Sequence, residues 1–414
     1  MTAKHVLVVG AGLPGLATAW SLQERGIEVT VLDGKGVAGG SSWGNAGWVS
    51  PALTLPLNAP AILRAGVRSA LSPSSPVYVP PTLDLRLLAF LGRFAAQCTP
   101  GRWERSLELF IEVNRRAVAA FETLVEGGVD EPLRCATPFL AAFRTEAERD
   151  SVVHELEVVR GRGGTVEMEE LTGDQLRGLE PSLTGGVTCG FALRDQRFID
   201  PGRFVHALAR QVQARGGVIR AGAELVQLSE TSPAEVLATL ATGEVLRADC
   251  CVLATGAWLS RHARAHGVRI PVQAGRGYSF TVRPARTTRN PIYFPVQRVA
   301  CTPIGTGLRL AGMMEFRPPD APLDPRRITA IVNAIRPLVD GVDWDARTEE
   351  WVGSRPCTPD GLPLVGRTRA TSIYVTGGHG MWGVALGPLT GDLLAQQIVT
   401  GERPAMLAGF DPLR

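Results

Sequence analysis

The chain has 414 residues, 45% of them hydrophobic, and a net charge of +3 from 43 basic and 40 acidic side chains. That is enough apolar material for two or three domains around a large core, and the well-mixed charge offers no basic tract to follow a nucleic-acid backbone. The only lysines are Lys4 and Lys35, which disfavours lysine Schiff-base chemistry, and the seven cysteines contain no CxxC, so they read as reduced core thiols with neither a disulfide framework nor a metal site.

In chain order, His5 to Val9 reads as a short buried strand leading into Gly10-Ala11-Gly12-Leu13-Pro14-Gly15 and then a helix. In that pattern the first glycine allows the tight turn and the second admits a pyrophosphate to the backbone. The third lets the helix pack closely on the strand, with the helix N-terminus facing the anion. The next strand, 28 to 32, ends at Asp33, at the spacing where an acid accepts hydrogen bonds from ribose hydroxyls. Strand, turn, helix and acid together predict a Rossmann-like site for an adenine dinucleotide, and Asp33 would repel the 2′-phosphate of NADP. The glycines in this stretch and Gln23-Glu24-Arg25 after it argue against a secretory signal, and no apolar run is long enough to span a membrane.

Residues 51–82, rich in Pro, Ser and Ala, read as a long ordered excursion. An amphipathic helix is predicted over 104–126, a strand over 135–143, a charged helix over 145–161 and a second amphipathic segment over 169–180. Asp200-Pro201 opens a helix to Ala214 that Gly216-Gly217 stops, and strands over 223–229, 235–241 and 245–248 form a small meander. The apolar run 250–254 then enters Thr255-Gly256-Ala257-Trp258. Strands are expected over 268–283, 292–302 and 307–314, a helix near 325–338, a glycine-rich tail from Trp351 and a last helix over roughly 387–400. The pattern is α/β, α+β overall. It divides into a discontinuous nucleotide domain of residues 1–70, 195–264 and 350–414, and an inserted mixed-sheet substrate domain of residues 71–194 and 265–349.

Four segments carry a more specific signal: Asn45-Ala46-Gly47-Trp48-Val49-Ser50-Pro51, Ala254-Thr255-Gly256-Ala257-Trp258, Gly277-Tyr278-Ser279, and the tail from Trp351 to Gly366 with Thr376-Gly377-Gly378-His379-Gly380-Met381-Trp382-Gly383. With the nucleotide motif they make the chain resemble the D-amino-acid oxidase superfamily of flavoproteins. Within it, bacterial D-amino-acid dehydrogenases, including those acting on D-proline and D-hydroxyproline, are most similar, and glycine oxidase is slightly more distant. The resemblance implies FAD, with its adenine end at Gly10, Gly12, Gly15 and Asp33 and beside Leu225. Ser41, Ser42, Asn45, Gly47 and Val49 would line the cofactor, with Thr255, Gly256 and Trp258 nearby. Gly380, Met381, Trp382, Gly383 and Val384 would face the pyrimidine ring, where a helix N-terminus favours the negative charge of reduced flavin by about 0.3–2 kcal/mol.

Arg355 matches the arginine that holds the substrate carboxylate in glycine oxidase-like relatives, and a planar guanidinium suits a carboxylate with two parallel hydrogen bonds. The alternative is a structural ion pair with Asp360. Tyr278 could donate to the same carboxylate or simply pack in its strand. His379 could touch the flavin or take the amine proton, or else satisfy a carbonyl. Trp48 and Trp382 would either wall the site or fill the core. In the glycine oxidase pattern the second arginine falls on Met381 and the pocket tyrosine near Ala300-Cys301, so the resemblance does not extend to glycine as substrate. Gly353 stands where sarcosine oxidase-like relatives attach flavin covalently, so dissociable FAD is expected.

The implied reaction is hydride transfer from the α-carbon of a D-amino acid or cyclic imino acid to flavin N5, giving an imine that water hydrolyses. The acceptor stays open between oxygen, a quinone and a partner protein. Alternatives are the flavin-bearing subunit of a heteromeric dehydrogenase, an oxidase of another secondary amine, and a non-catalytic flavin-binding protein. Both homo- and hetero-oligomers fit. A cytoplasmic protein is expected, and a quinone acceptor would bring it against the inner face of the membrane.

Overall fold

The computed structural model describes residues 3–60, 72–286 and 288–414. Part of the expected excursion, residues 61–71, lies outside the described residues.

The first strand, His5–Val9, lies inside a six-stranded sheet between Glu28–Asp33 and Cys250–Leu253, all parallel. Val218–Ala221 extends one side, and Ile373–Gly377 and then the antiparallel Leu364–Arg367 extend the other. Helix Leu13–Gln23 is buried along most of its length because it is sandwiched between this sheet and the terminal helix Gly383–Thr400. Close packing fixes its entry: a Cβ on Gly15 would stand 2.0 Å from the Gly10 carbonyl oxygen, so strand end and helix touch through backbone alone. A three-stranded meander, Leu225–Ser232, Glu235–Leu240 and Val245–Ala248, covers the sheet from another side.

The larger sheet has nine strands in mixed directions. Along it run Thr348–Cys357, Gln273–Val282, Gly307–Phe316, Val299–Ile304, Ile292–Phe294, Phe139–Phe143, Cys189–Leu193 and Met168–Thr172, and Val77–Tyr78 pairs in parallel with Gly307–Phe316. One face packs on helix Pro325–Ile335 and forms an apolar core. Ser41, Trp43, Ala46 and Trp48, from the loop after the dinucleotide strands, are bonded to strands of this sheet.

Several elements differ from the sequence reading. Residues 169–180 split into strand Met168–Thr172 and helix Gly173–Leu179, because Thr172 and Gln175 form a capping box that starts the helix late. The run 292–302 becomes two strands, with Pro295 in the connection between them. The tail from Trp351 is not a glycine loop at its start: Thr348–Cys357 is a ten-residue strand in register with Gln273–Val282, so a boundary at 350 cuts through the larger sheet. Helix Pro100–Glu126, within the range assigned to the inserted domain, places Phe110, Val113, Ala117, Phe121 and Leu124 in the core of the nucleotide unit. The last helix begins at Gly383, ahead of the expected start near 387, and carries Pro388 inside it. Helix Leu85–Gln97 and strand Cys189–Leu193 have no counterpart in the sequence reading.

Candidate active site

The nucleotide end is built mostly from backbone. Gly10 has a φ of +121°, and a Cβ there would meet the Ala254 carbonyl oxygen at 2.4 Å, so the turn requires glycine twice over. Gly12 caps the helix without a side chain, and the Ser42 hydroxyl accepts from Leu13 N–H at 3.1 Å. Asp33 organises the loop around it: its carboxylate accepts from Ala11 N–H at 2.8 Å, Lys35 N–H at 2.7 Å and Gly36 N–H at 2.9 Å. Two carboxylate oxygens hold about four acceptor sites, so capacity for ribose hydroxyls remains. Leu225 is buried at the head of the meander, packed with Leu32 and Ala223.

Thr255 follows the neighbouring strand, and its buried hydroxyl has no hydrogen-bond partner among the described residues. Gly256 follows with a φ of +54°. Trp258 is directed differently from a cofactor contact: its indole N–H donates to Asp320 at 3.0 Å, the Lys35 ammonium sits 4.6 Å from its ring, and Arg261 joins the same carboxylate at 2.9 Å. Trp258 thus ties the two units together.

The 41–50 loop is stitched to the larger sheet. The Ser41 hydroxyl donates to the Ser354 carbonyl, the Trp48 indole donates to Thr302 at 2.9 Å, and Thr302 passes its own proton to the Ala46 carbonyl at 2.8 Å. Arg309 donates to the Trp43 carbonyl at 3.0 Å, with its guanidinium over the Trp43 ring. Asn45 accepts from Gly47 N–H at 2.9 Å, which shapes the turn into the fully buried Val49. From the other end of the chain, Gly380–Trp382 forms a short 3-10 turn into helix Gly383–Thr400, and neither start has a capping side chain. Within the turn the Trp382 N–H donates to the His379 carbonyl at 2.9 Å, Gly380 has open space where a Cβ would stand, and Val384 is buried just behind. Trp382 donates to the Leu55 carbonyl at 2.6 Å, and Met381 packs beside Cys357. The unpartnered Thr255 hydroxyl, the uncapped helix start and the glycine turn with no side chain in front of it fit a long dinucleotide.

Arg355 lies on the face of the sheet that this loop covers. Its guanidinium spreads over Gly277, where a Cβ would stand 2.2 Å away, so any larger residue there would displace it from this position. It donates one hydrogen bond, from Nη1 to the Met313 carbonyl at 2.7 Å. The Asp360 alternative fails, because Asp360 pairs with Arg414 at 2.9 Å. No carboxylate acts on Arg355 among the described residues, and loss of solvent lowers its pKa from the ordinary arginine value. The side chain nevertheless keeps part of its surface exposed, which leaves donors of its fork open to a ligand. An arginine remains charged there. Cys357 nearby is buried, its thiol pushed up to about 11 by desolvation, which leaves it inert as a nucleophile.

The other two candidates go elsewhere. Tyr278 is next in the strand after Gly277 and so points to the opposite face, where its hydroxyl donates to Glu315 at 2.6 Å. Burial and that carboxylate raise its pKa, and it cannot meet a carboxylate held by Arg355. His379 is fully buried: Thr390 gives its hydroxyl proton to helix carbonyls, so His379 Nε2 donates to Thr390 at 3.0 Å. Desolvation lowers its pKa to about 4, which keeps it neutral, with Nε2 spent inside the protein. Two side chains that sequence reasoning passed over belong to this region. Tyr293 stands edge-on to Trp48 at 5.3 Å, and Trp351 lies across Gly353 and Gly44. Alternation along their strands would have flagged both, had the register been legible.

A dinucleotide grip at one end of the sheet, a glycine turn before the last helix and an unpaired arginine over the second sheet define a flavin-dependent oxidoreductase. Residues 5–397 match the family described as FAD dependent oxidoreductase, and the chain belongs to that family and binds FAD. It is 31% identical to a D-amino acid dehydrogenase of Xylella fastidiosa strain M12, over 99% of this chain and 95% of that protein. The fold is similar to glycine oxidase from Geobacillus kaustophilus, with a TM-score of 0.75 at 22% identity over 99% and 98% of the two chains. It is also similar to L-proline dehydrogenase from P. horikoshii, with a TM-score of 0.70 at 17% identity over 100% and 98%.

Proposed function

We propose that the protein dehydrogenates a D-amino acid or a cyclic imino acid such as D-proline or D-hydroxyproline, with the substrate carboxylate held by Arg355. The observation that carries this reading is the arginine itself: a desolvated guanidinium with no acidic partner among the described residues, one edge fixed by a carbonyl and part of its surface still open. Charge-assisted hydrogen bonds to such a group contribute about 1.5–3 kcal/mol, and most of the benefit is orientation of the α-carbon. FAD, held without a covalent link, supplies the oxidising centre that takes two electrons from that carbon. Gly353 offers no side chain for an attachment, and the Trp351 ring lies where its Cβ would stand, 1.9 Å away.

The chain's own contribution is binding, orientation and exclusion of water. Trp48, Trp351 and Tyr293 supply aromatic walls that suit a compact, partly apolar amine. A dry pocket disfavours the ammonium form, so the neutral amine needed for oxidation forms without a dedicated base. That agrees with the internal roles of Tyr278 and His379. The D-amino acid dehydrogenase relatives support the substrate class, and the reading holds for oxygen, a quinone or a partner protein as acceptor. Arg355→Lys keeps the charge and loses the fork. Steady-state rates with an artificial acceptor should show kcat/KM reduced by about 10–100-fold; rates equal to the parent would remove Arg355 from the site.

A further inference from the structure

Behind the larger sheet lies a group of charged side chains that the proposed reaction does not use. Arg276, Glu315 and Arg327 are all fully buried. Around Glu315 stand Arg317 Nε at 2.5 Å, Arg276 Nη1 at 3.5 Å and Arg327 Nε at 3.9 Å, and the Tyr278 hydroxyl donates to it at 2.6 Å. Replacing such a cluster by packed apolar side chains is often neutral or stabilising, so stability alone is a weak reason for it. Its connections suggest a different one.

Strand Gln273–Val282 pairs Arg276 with Glu315 and Tyr278 with Gly312, so Gly277 alone opposes both Met313 and Met314. This is a bulge, a device that re-aims a strand next to a site. Met313 has a φ of +61°, a left-handed conformation that a non-glycine residue keeps only when its surroundings hold it. The peptide joining Met313 to Met314 is held from both sides. Its carbonyl accepts from Arg355 Nη1 at 2.7 Å, and its N–H donates to the Pro76 carbonyl at 2.7 Å. A planar trans peptide points these groups in opposite directions, so fixing one end aims the other. Arg327 clamps the strap that supplies Pro76, donating to the carbonyls of Pro73, Ser75 at 2.7 Å and Pro76 at 3.5 Å, and to the Met314 carbonyl at 3.2 Å.

We propose that Arg327, Glu315 and Tyr278 are positioning residues that aim Arg355 through the Met313–Met314 peptide, and thereby set how tightly the substrate carboxylate is held. The inference rests on the assignment of Arg355 as carboxylate anchor. A relay through one peptide plane predicts that disturbing the back of the sheet weakens carboxylate binding at the front, with a larger effect on KM than on the limiting rate.

The test is calorimetric titration of the FAD-loaded protein with pyrrole-2-carboxylate, an aromatic acid with no hydrogen to lose at the carbon bearing the carboxylate. Arg327→Met and the milder Tyr278→Phe are compared with the parent, alone and combined with Arg355→Lys. The expected result is retained FAD, binding weakened about tenfold or more by R327M and a few-fold by Y278F, and no further loss when either is added to R355K. If R327M does not fold, Y278F carries the test alone. Parent-like binding in the back-face variants, with R355K weakened, overturns the relay and leaves the anchor standing. An equal loss in the parent and R355K backgrounds also overturns it, because the effect then bypasses Arg355. Parent-like binding in R355K overturns the anchor itself.

Discussion

The two ends of the molecule are built on different principles. The nucleotide end is largely local in sequence and uses few side chains: the six-residue turn Gly10 to Gly15, one aspartate and a helix start are shaped by backbone geometry. The front face of the larger sheet is discontiguous and side-chain rich, with Arg355 and Trp351 on one strand and Tyr293 and Trp48 on two others, meeting only because the register brings them together. In the first region a single Cβ is decisive; in the second, a hydrogen bond several residues away is.

Gly15→Ala breaks the first region most sharply. A methyl 2.0 Å from the Gly10 carbonyl forces helix Leu13–Gln23 away from the strand, at a cost of about 3 kcal/mol or more. FAD content, read from the visible spectrum against protein, should fall severely, and retention of stoichiometric FAD would show that the helix entry is not close-packed. Phe121→Ala tests whether helix Pro100–Glu126 belongs with the nucleotide core: the ring is fully buried 5.2 Å from Phe204, and its loss should cost about 3–5 kcal/mol in denaturant unfolding. A loss under about 1 kcal/mol would detach that helix from the core.

His379 distinguishes the regions by pH. Its native pKa of about 4 lies below the ordinary 6.5, so the unfolded chain takes up a proton that the native protein refuses. The stabilisation is complete above pH 6.5 and is lost as pH falls toward 4, a change on the order of 3 kcal/mol. His379→Gln should flatten the fall in melting temperature over that window, whereas an unchanged acid slope would place its ring in contact with water. The smallest effect is expected at Trp258→Phe. Its bond to a half-exposed Asp320 contributes at most about 1 kcal/mol, so FAD affinity should change by less than about threefold. A tenfold change would return Trp258 to the cofactor site.

What was legible in the sequence follows the same division. The strand, Gly10 to Gly15 and Asp33 could be read because their spacing is local and each glycine answers a local steric demand. The front face could not, since Thr348–Cys357 reads as a glycine-rich tail until its pairing with Gln273–Val282 is known. Arg355 was found by resemblance, and its freedom from Asp360 became visible only when Arg414 was seen to take that carboxylate. For Tyr278 the sequence leaves carboxylate binding and strand packing open, because one step along a strand changes the face, and whether it faces the arginine or the helix layer depends on register alone. For His379 the sequence leaves a flavin contact and an internal bond open, because its partner Thr390 stands eleven residues on and only the folded turn brings the two together.

The central claim is tested most directly by mixing the FAD-loaded protein anaerobically with D- and L-amino acids, both prolines and both hydroxyprolines included, and following loss of the flavin's visible band in the parent and in Arg355→Lys. The account predicts rapid bleaching by at least one D-amino acid or cyclic imino acid, and slower bleaching at low substrate concentration in the variant. A fully loaded protein that no member of the panel bleaches, or equal bleaching with and without the Arg355 fork, would contradict it.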